Sequence, residues 1–286
     1  MLETAVISGK GGTGKSSVSA ALASLHERVV LADCDVDAAN LYLLFRPDEE
    51  SSESFCGGTK AVIDPDRCTG CLRCVALCRF GAIEPDGKVV SISEVSCDGC
   101  RLCARLCPEG AIRMVQQCDS RLVSGTFRYG ELVYGRLAPG EENSGKLVGL
   151  IRDRARSLAS RQGIGHILLD GPPGIGCPVI STISGTGRVL VVTEPSLSGL
   201  HDLQRAIAVC RSFGPEIQVV INKHDLNPEG SRKIIGWCGD NGLRVTARLP
   251  FDPLVVRAMS AGRTITEYAP DAPVSKKIRN LYDRLF

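Results

Sequence analysis

The apolar run Thr4–Ser8, TAVIS, leads straight into Gly9-Lys-Gly-Gly-Thr-Gly-Lys-Ser16. A buried strand, a glycine-rich turn and a Lys-Ser pair opening a helix fit few folds. Together they match the P-loop pattern G-x-x-x-x-G-K-[ST] in its strand–loop–helix setting. The glycines let backbone N–H groups converge on phosphate oxygens, and the positive end of the following helix points at the same place. Lys15 is then placed to reach the β- and γ-phosphates, and the Ser16 hydroxyl to ligate Mg²⁺. A glycine-rich turn without a ligand is the plain alternative. The Lys-Ser pair directly behind a strand argues against it.

The rest of the chain repeats the strand–helix alternation. Val29–Asp33, His166–Asp170, Val189–Thr193 and Ile217–Asn222 are short apolar runs of the kind buried in parallel sheets. Residues 15–26, 145–161, 200–213 and 229–241 carry helical periodicity. Strands alternating with helices predict βαβ units and an α/β fold with a doubly wound, mostly parallel sheet. With 43% hydrophobic and 23% charged residues among 286, the chain is long enough for a sizeable core. The formal charge of +2 argues against a nucleic-acid binder driven by bulk charge.

The 14 cysteines interrupt this pattern, because eight of them lie between Cys68 and Cys107. No secretory signal or membrane-length apolar run is visible, so a cytoplasmic location is expected. There, metal ligation is favoured over disulfides. The cysteines form two runs, Cys68-x₂-Cys71-x₂-Cys74-x₃-Cys78 and Cys97-x₂-Cys100-x₂-Cys103-x₃-Cys107-Pro108. The second repeats the first 29 positions later. This is the bacterial ferredoxin spacing, in which the fourth cysteine of each run ligates the other cluster. One [4Fe–4S] cluster is assigned Cys68, Cys71, Cys74 and Cys107, and the other Cys97, Cys100, Cys103 and Cys78. Zinc sites usually pair cysteines across a longer spacer, which disfavours zinc here. Arg79 replaces the proline that follows the second run, so the two clusters are expected to differ in potential. The expected organisation is a nucleotide-binding domain over 1–57 and 117–286, with a small inserted α+β ferredoxin-like domain over 58–116. The polar stretch 47–54 reads as a linker.

Lys10, together with Gly11, Gly12, Thr13, Gly14, Lys15, Ser16 and Ser17, resembles the deviant Walker A loop of the ParA/MinD/nitrogenase-iron-protein class of P-loop ATPases. In that class the early lysine reaches across a dimer to the partner's nucleotide, which implies the same role for Lys10. Further motifs follow in family order. Asp33-Cys-Asp35 resembles switch I, with Asp33 serving Mg²⁺ and Asp35 orienting the attacking water. Asp170-Gly-Pro-Pro-Gly174 resembles Walker B and switch II, with Asp170 holding Mg²⁺ through water. Asn222-Lys-x-Asp225 and Pro250-Phe-Asp-Pro253 resemble the base-binding segments, Asn222 being the expected purine contact. The resemblance implies ATP rather than GTP.

Cys177 follows Asp170 at the spacing that places a dimer-bridging cluster ligand in the nitrogenase iron protein. It is a candidate metal ligand, with Cys118 and Cys34 as candidate companions. The competing expectation is a small buried residue. The amphipathic stretch 273–286 is either a last helix packed on the sheet, the favoured reading, or a membrane-binding helix of the MinD kind.

The resemblance implies a Mg²⁺-dependent ATPase, a homodimer or a heterodimer with a related chain. Its clusters would serve electron transfer to a redox partner, or metallocluster delivery to an acceptor protein. The alternative is a positioning ATPase acting on membrane or DNA, where clusters have no evident purpose.

Overall fold

The computed structural model describes every residue except Glu142. In chain order the elements are β1 (Leu2–Ser8), α1 (Lys15–Ala23), β2 (Val29–Asp33), α2 (Leu41–Phe45), β3 (Asp48–Phe55), β4 (Gly58–Ile63), α3 (Arg73–Leu77), β5 (Ile83–Asp86) and β6 (Val89–Ile92). There follow α4 (Leu102–Leu106), β7 (Ile112–Gln117), β8 (Ser120–Phe127), β9 (Gly130–Arg136), α5 (Ser144–Gln162), β10 (His166–Pro173), α6 (Cys177–Ile183), β11 (Arg188–Thr193) and α7 (Leu197–Arg211). The chain ends with β12 (Glu216–Ile221), α8 (Pro228–Asp240), β13 (Arg244–Arg248), α9 (Leu254–Ser260), α10 (Ile265–Tyr268) and α11 (Pro273–Leu285).

Contacts divide the chain into two units. The larger holds Met1–Ser52, Leu122–Arg136 and Ser144–Phe286, and the smaller holds Glu53–Arg121 and Leu137–Asn143. The smaller unit contains residues 58–116, the expected insert, and adds residues on either side and a later segment. The stretch 47–54 is not a linker. Residues Asp48–Phe55 form β3, the edge strand of the large sheet. Its side chains are mostly exposed and acidic or hydroxylic, which suits an edge that must not recruit another strand. No hydrophobic alternation marks it, so nothing in the local pattern identifies a strand.

Nine strands form one sheet in the order β13-β12-β11-β1-β10-β2-β9-β8-β3. The pairings from β13 across to β9 are all parallel. β1 lies at the centre between β10 and β11, and the connection from β1 through α1 to β2 passes over β10. Such a crossover places the loops after β1, β2 and β10 side by side at the carboxyl ends of the strands, where ligands bind in open α/β sheets. The apolar strands are buried throughout: Ala5, Val6 and Ile7 are inaccessible, as is all of β2.

α11 places Val274, Ile278, Leu281 and Leu285 into the main core, at helical spacing along one face. Its apolar stripe is thus covered within its own unit. Among the described residues no helix is long and apolar enough to cross a membrane. Leu281→Ala should cost about 2–5 kcal/mol of stability in chemical denaturation. Lys277→Ala, on the outer face, should stay within about 0.5 kcal/mol. A near-neutral Leu281→Ala would contradict the packed assignment.

The smaller unit pairs β4 with β7 and β5 with β6, both antiparallel, and adds the short helices α3 and α4. Its core is small and holds Ala61, Ala82, Cys97 and Ile112, with Cys74, Cys78, Cys103 and Cys107 packed against it. Cys56 and Cys118 form a disulfide, contrary to the expectation of reduced cysteines. The register brings them near each other: Gly58 opposes Gln117 on β4 and β7, so Cys118 lies level with Gly57, one residue from Cys56.

Candidate nucleotide and cysteine sites

The phosphate loop leaves β1 and enters α1 through Gly14, whose φ is 88°. A side chain there would be strained by the backbone, and its Cβ would lie 2.3 Å from the Asn222 amide nitrogen. Asn222 uses that same nitrogen to donate to the Thr13 carbonyl at 2.8 Å. Lys223, itself at φ 53°, donates from Nζ to the Gly12 carbonyl at 2.9 Å. The end of β12 therefore laces the loop into place.

Lys15 is 6% exposed and sits among acids. Its Nζ lies 3.0 Å from Asp170 Oδ2 and 3.9 Å from Asp35 Oδ2, and it donates to Ser16 Oγ at 3.1 Å. Ser19 holds the other Asp170 oxygen at 2.7 Å. Asp33, fully buried, accepts the backbone N–H groups of Asp35, Asn40 and Leu41 at 3.1–3.2 Å. Burial, and then the charge of Asp170, pushes Asp33 up to about 7. Burial also raises Asp35, against the opposing pull of Lys15. Burial pushes Lys15 down, but Asp170, Asp35 and Asp33 outweigh it and hold the ammonium form. The site thus carries more negative charge than one lysine satisfies. Hard oxygen donors with surplus charge are the donor set that suits a cation such as Mg²⁺.

Lys10 is not part of this cluster. Its Nζ pairs with Glu194 Oε1 at 2.7 Å and donates to Ser196 and Ser198 hydroxyls at 3.2 and 2.9 Å. Glu194 also pairs with Lys223 at 3.1 Å, and hydrogen bonds from both lysines hold its carboxyl below the usual range against the opposing effect of burial. The loop motif marks Lys10 in the sequence, whereas this cradle forms only when β11 and β12 bring distant residues to the loop.

Beside the loop lies a cavity of about 220 Å³ lined by Gly12, Asn222, Pro250, Phe251, Val255 and Ile265 among others. Asn222 and Pro250, the expected base contacts, line it together. Asp225 does not line it. Its carboxylate accepts the Phe251 N–H at 2.7 Å and braces the Pro250–Phe251 segment.

In the smaller unit one cavity is lined by Cys78, Cys97, Cys100 and Cys103, together with Phe80 and Ala82. These are the four ligands assigned to one cluster from spacing. Cys68, Cys71 and Cys74 lie near one another: the Cys74 thiol is raised first by burial, with Cys68 and Cys71 adding to the shift. Cys107 enters the small core with Cys74 and Cys78. Backbone N–H groups point at sulfur in matching places, from Ala82 to Cys78 at 3.4 Å and from Ala111 to Cys107 at 3.3 Å. N–H donors to sulfur are a known means of tuning a cluster's potential where one is bound. Among the described residues no three Cys, His, Asp or Glu side chains gather closely enough for a single ion. The fit to a cluster rests on the shared cavity and on these N–H···S contacts.

Cys177 opens α6 and is exposed, not the buried residue that was the competing expectation. Its suggested companions drop out. Cys118 is in the disulfide, and Cys34 is fully buried with its thiol raised by burial and by Asp33. Cys210 and Cys238 are core residues, pushed up by burial to about 12 and about 11.

The family model described as the CobQ/CobB/MinD/ParA nucleotide binding domain matches residues 4–265. An uncharacterised protein of Methanocaldococcus jannaschii is 35% identical over 288 aligned residues, covering 100% of this chain and 96% of the relative. A cytosolic Fe-S cluster assembly factor of Kluyveromyces lactis is 26% identical over 137 residues, 42% of each chain. The crystal structure of the cell division ATPase MinD of Pyrococcus furiosus superposes with a TM-score of 0.60 at 20% identity, covering 99% of this chain and 98% of that one.

Proposed function

The chain belongs to the CobQ/CobB/MinD/ParA family of nucleotide-binding domains, and from that premise we propose an ATP-hydrolysing iron–sulfur protein. In this reading ATP and Mg²⁺ occupy the phosphate loop, with the base in the cavity formed by Asn222 and Pro250. Two [4Fe–4S] clusters occupy the inserted, ferredoxin-like unit and supply one-electron transfer when bound. The observation that carries the reading is that Cys78, Cys97, Cys100 and Cys103 all line one cavity, inside a nucleotide-binding chain. The partial similarity to a cytosolic Fe-S cluster assembly factor supports an iron–sulfur role.

The protein's own groups divide the work. Lys15 and the loop amides neutralise phosphate charge. Ser16 and Asp170 hold the metal, and Asp33 braces the switch by accepting three backbone N–H groups. Asp35, half-buried beside Lys15, is positioned to orient water. Nucleotide binding closes a dimer with a second copy or a related chain. The output is electron transfer to a redox partner or cluster delivery to an acceptor, and the insert begins soon after Asp35 in the chain. Exposed Cys177 offers a labile metal ligand for the second output. A positioning ATPase on a membrane is disfavoured because the apolar face of α11 is packed in the core.

Lys10 supplies the test. Its pair with Glu194 is partly exposed, 28% and 22%, so it is worth at most about 1 kcal/mol and releases readily. In sedimentation with a non-hydrolysable ATP analogue the parent chain should dimerise, whereas Lys10→Ala should stay monomeric. Equal dimerisation of both would refute the role in trans.

A further inference from the structure

The two halves of the inserted unit obey a pseudo-twofold that relates each residue to the one 29 positions later. Leu72 and Arg101 both have left-handed φ, 57° and 66°, at the starts of α3 and α4. A Cβ on Gly70 would meet the Lys88 carbonyl at 2.5 Å, and one on Gly99 the Thr59 carbonyl at 2.3 Å. Ser93 N–H donates to Ala82 at 2.8 Å, and Asp64 N–H donates to Ala111 at 2.7 Å. Each of these contacts in one half therefore has its counterpart in the other.

One pair breaks the symmetry in charge. Lys60 on β4 is 6% exposed, and its ammonium donates to the Cys97 carbonyl. Among the described residues no carboxylate pairs with it. The symmetry mate of Lys60 is Val89 on β6, and that of Cys97 is Cys68. A buried cation thus stands against the residue that opens the second cysteine run, whereas the equivalent position on β6 carries the apolar Val89. Arg79 also differs from its mate, Pro108. However, it is exposed, with its guanidinium 5.1 Å from the Phe80 ring centre, so solvent screens it. Lys60 is shielded from water, and a charge there acts at lower effective dielectric.

Granting the two-cluster reading on which it rests, we infer that Lys60 sets the order of the two potentials. Its positive charge stabilises the reduced form of the cluster held by Cys78, Cys97, Cys100 and Cys103. That cluster is the higher-potential one. When a low-potential one-electron donor supplies one electron to the chain, the electron resides there. The cluster of Cys68, Cys71, Cys74 and Cys107 stays oxidised until a second electron arrives. No proton need move. The two clusters therefore fill in a fixed order, the second run's first.

The test is an EPR-monitored dithionite titration of the full chain, prepared anaerobically. Cys71→Ser and Cys100→Ser assign the two signals. Lys60→Met keeps the aliphatic stem and removes the charge. It should lower the reduction equilibrium of the Cys100 cluster at least tenfold, 59 mV for one electron, with a smaller effect on the other. Val89→Lys should raise the Cys71 cluster by a similar factor and narrow the gap. Lys60→Arg should keep the parent order. Eight irons with unmoved midpoints in Lys60→Met and Val89→Lys would overturn the inference and leave the iron–sulfur reading intact. Loss of iron from both variants would mean a structural role for the position and would equally overturn it. A parent chain without iron would instead overturn the reading itself.

Discussion

Lys15→Ala should lower ATP hydrolysis by about 10²–10³-fold or more, the usual loss when a preorganised charge facing the reacting group is removed. It should also destabilise the nucleotide-free protein, which a purely catalytic residue would not. Lys15 Nζ is the cation between Asp170, Asp35 and buried Asp33. Removing one partner of a buried ion pair costs about 3–5 kcal/mol, because the remaining charge is left uncompensated. The loss has a pH signature. Asp33 is raised from its ordinary value of 3.8 to about 7 in the folded chain. A group raised in this way contributes stability below its unfolded value and loses it as pH climbs through the folded one. Without Lys15 that window extends upward, so Lys15→Ala should lose more stability relative to the parent at pH 8 than at pH 6. Denaturation at the two pH values measures it. A pH-independent difference would mean that Lys15 does not neutralise this acid group.

Cys100→Ser should remove about four of about eight irons and leave ATP hydrolysis in place, since each run dominates one four-iron site. Cys100 lines the cavity with Cys78, Cys97 and Cys103, so its loss acts on that site alone. Cys210→Ser, on a core thiol outside the insert, should leave the iron count unchanged. Retention of all the iron in Cys100→Ser would show that the cavity these four cysteines line does not hold metal.

Much of the fold was legible because its strands are continuous apolar runs. β1, β2, β10, β11 and β12 are read from the sequence to within a few residues, as are α1, α5, α7 and α8, whereas the short helices α2 and α6 are not. β3 was not legible, since Asp48–Phe55 carries neither hydrophobic alternation nor an apolar run. Its strand character comes from its place at the sheet edge. β8, β9 and β13 were missed as well; β13, for example, mixes Arg244 and Arg248 with small residues. Within the site, the P-loop and the cysteine runs are local motifs and so visible in the chain. The Glu194–Ser196–Ser198 cradle of Lys10 joins residues far apart in sequence. Lys60 gave no signal at all, because nothing in its neighbours marks a lysine that ends up buried. Cys56 and Cys118 likewise pair only through the β4–β7 register.

The central claim is that one chain couples a nucleotide site to two clusters. Iron, acid-labile sulfide and zinc, measured per chain on an anaerobic preparation that also binds ATP, test it most directly. About eight irons and eight sulfides, as two four-iron clusters require, are expected, with about ten irons if Cys177 adds a cluster shared across a dimer. Zinc without iron in nucleotide-competent protein would contradict the account.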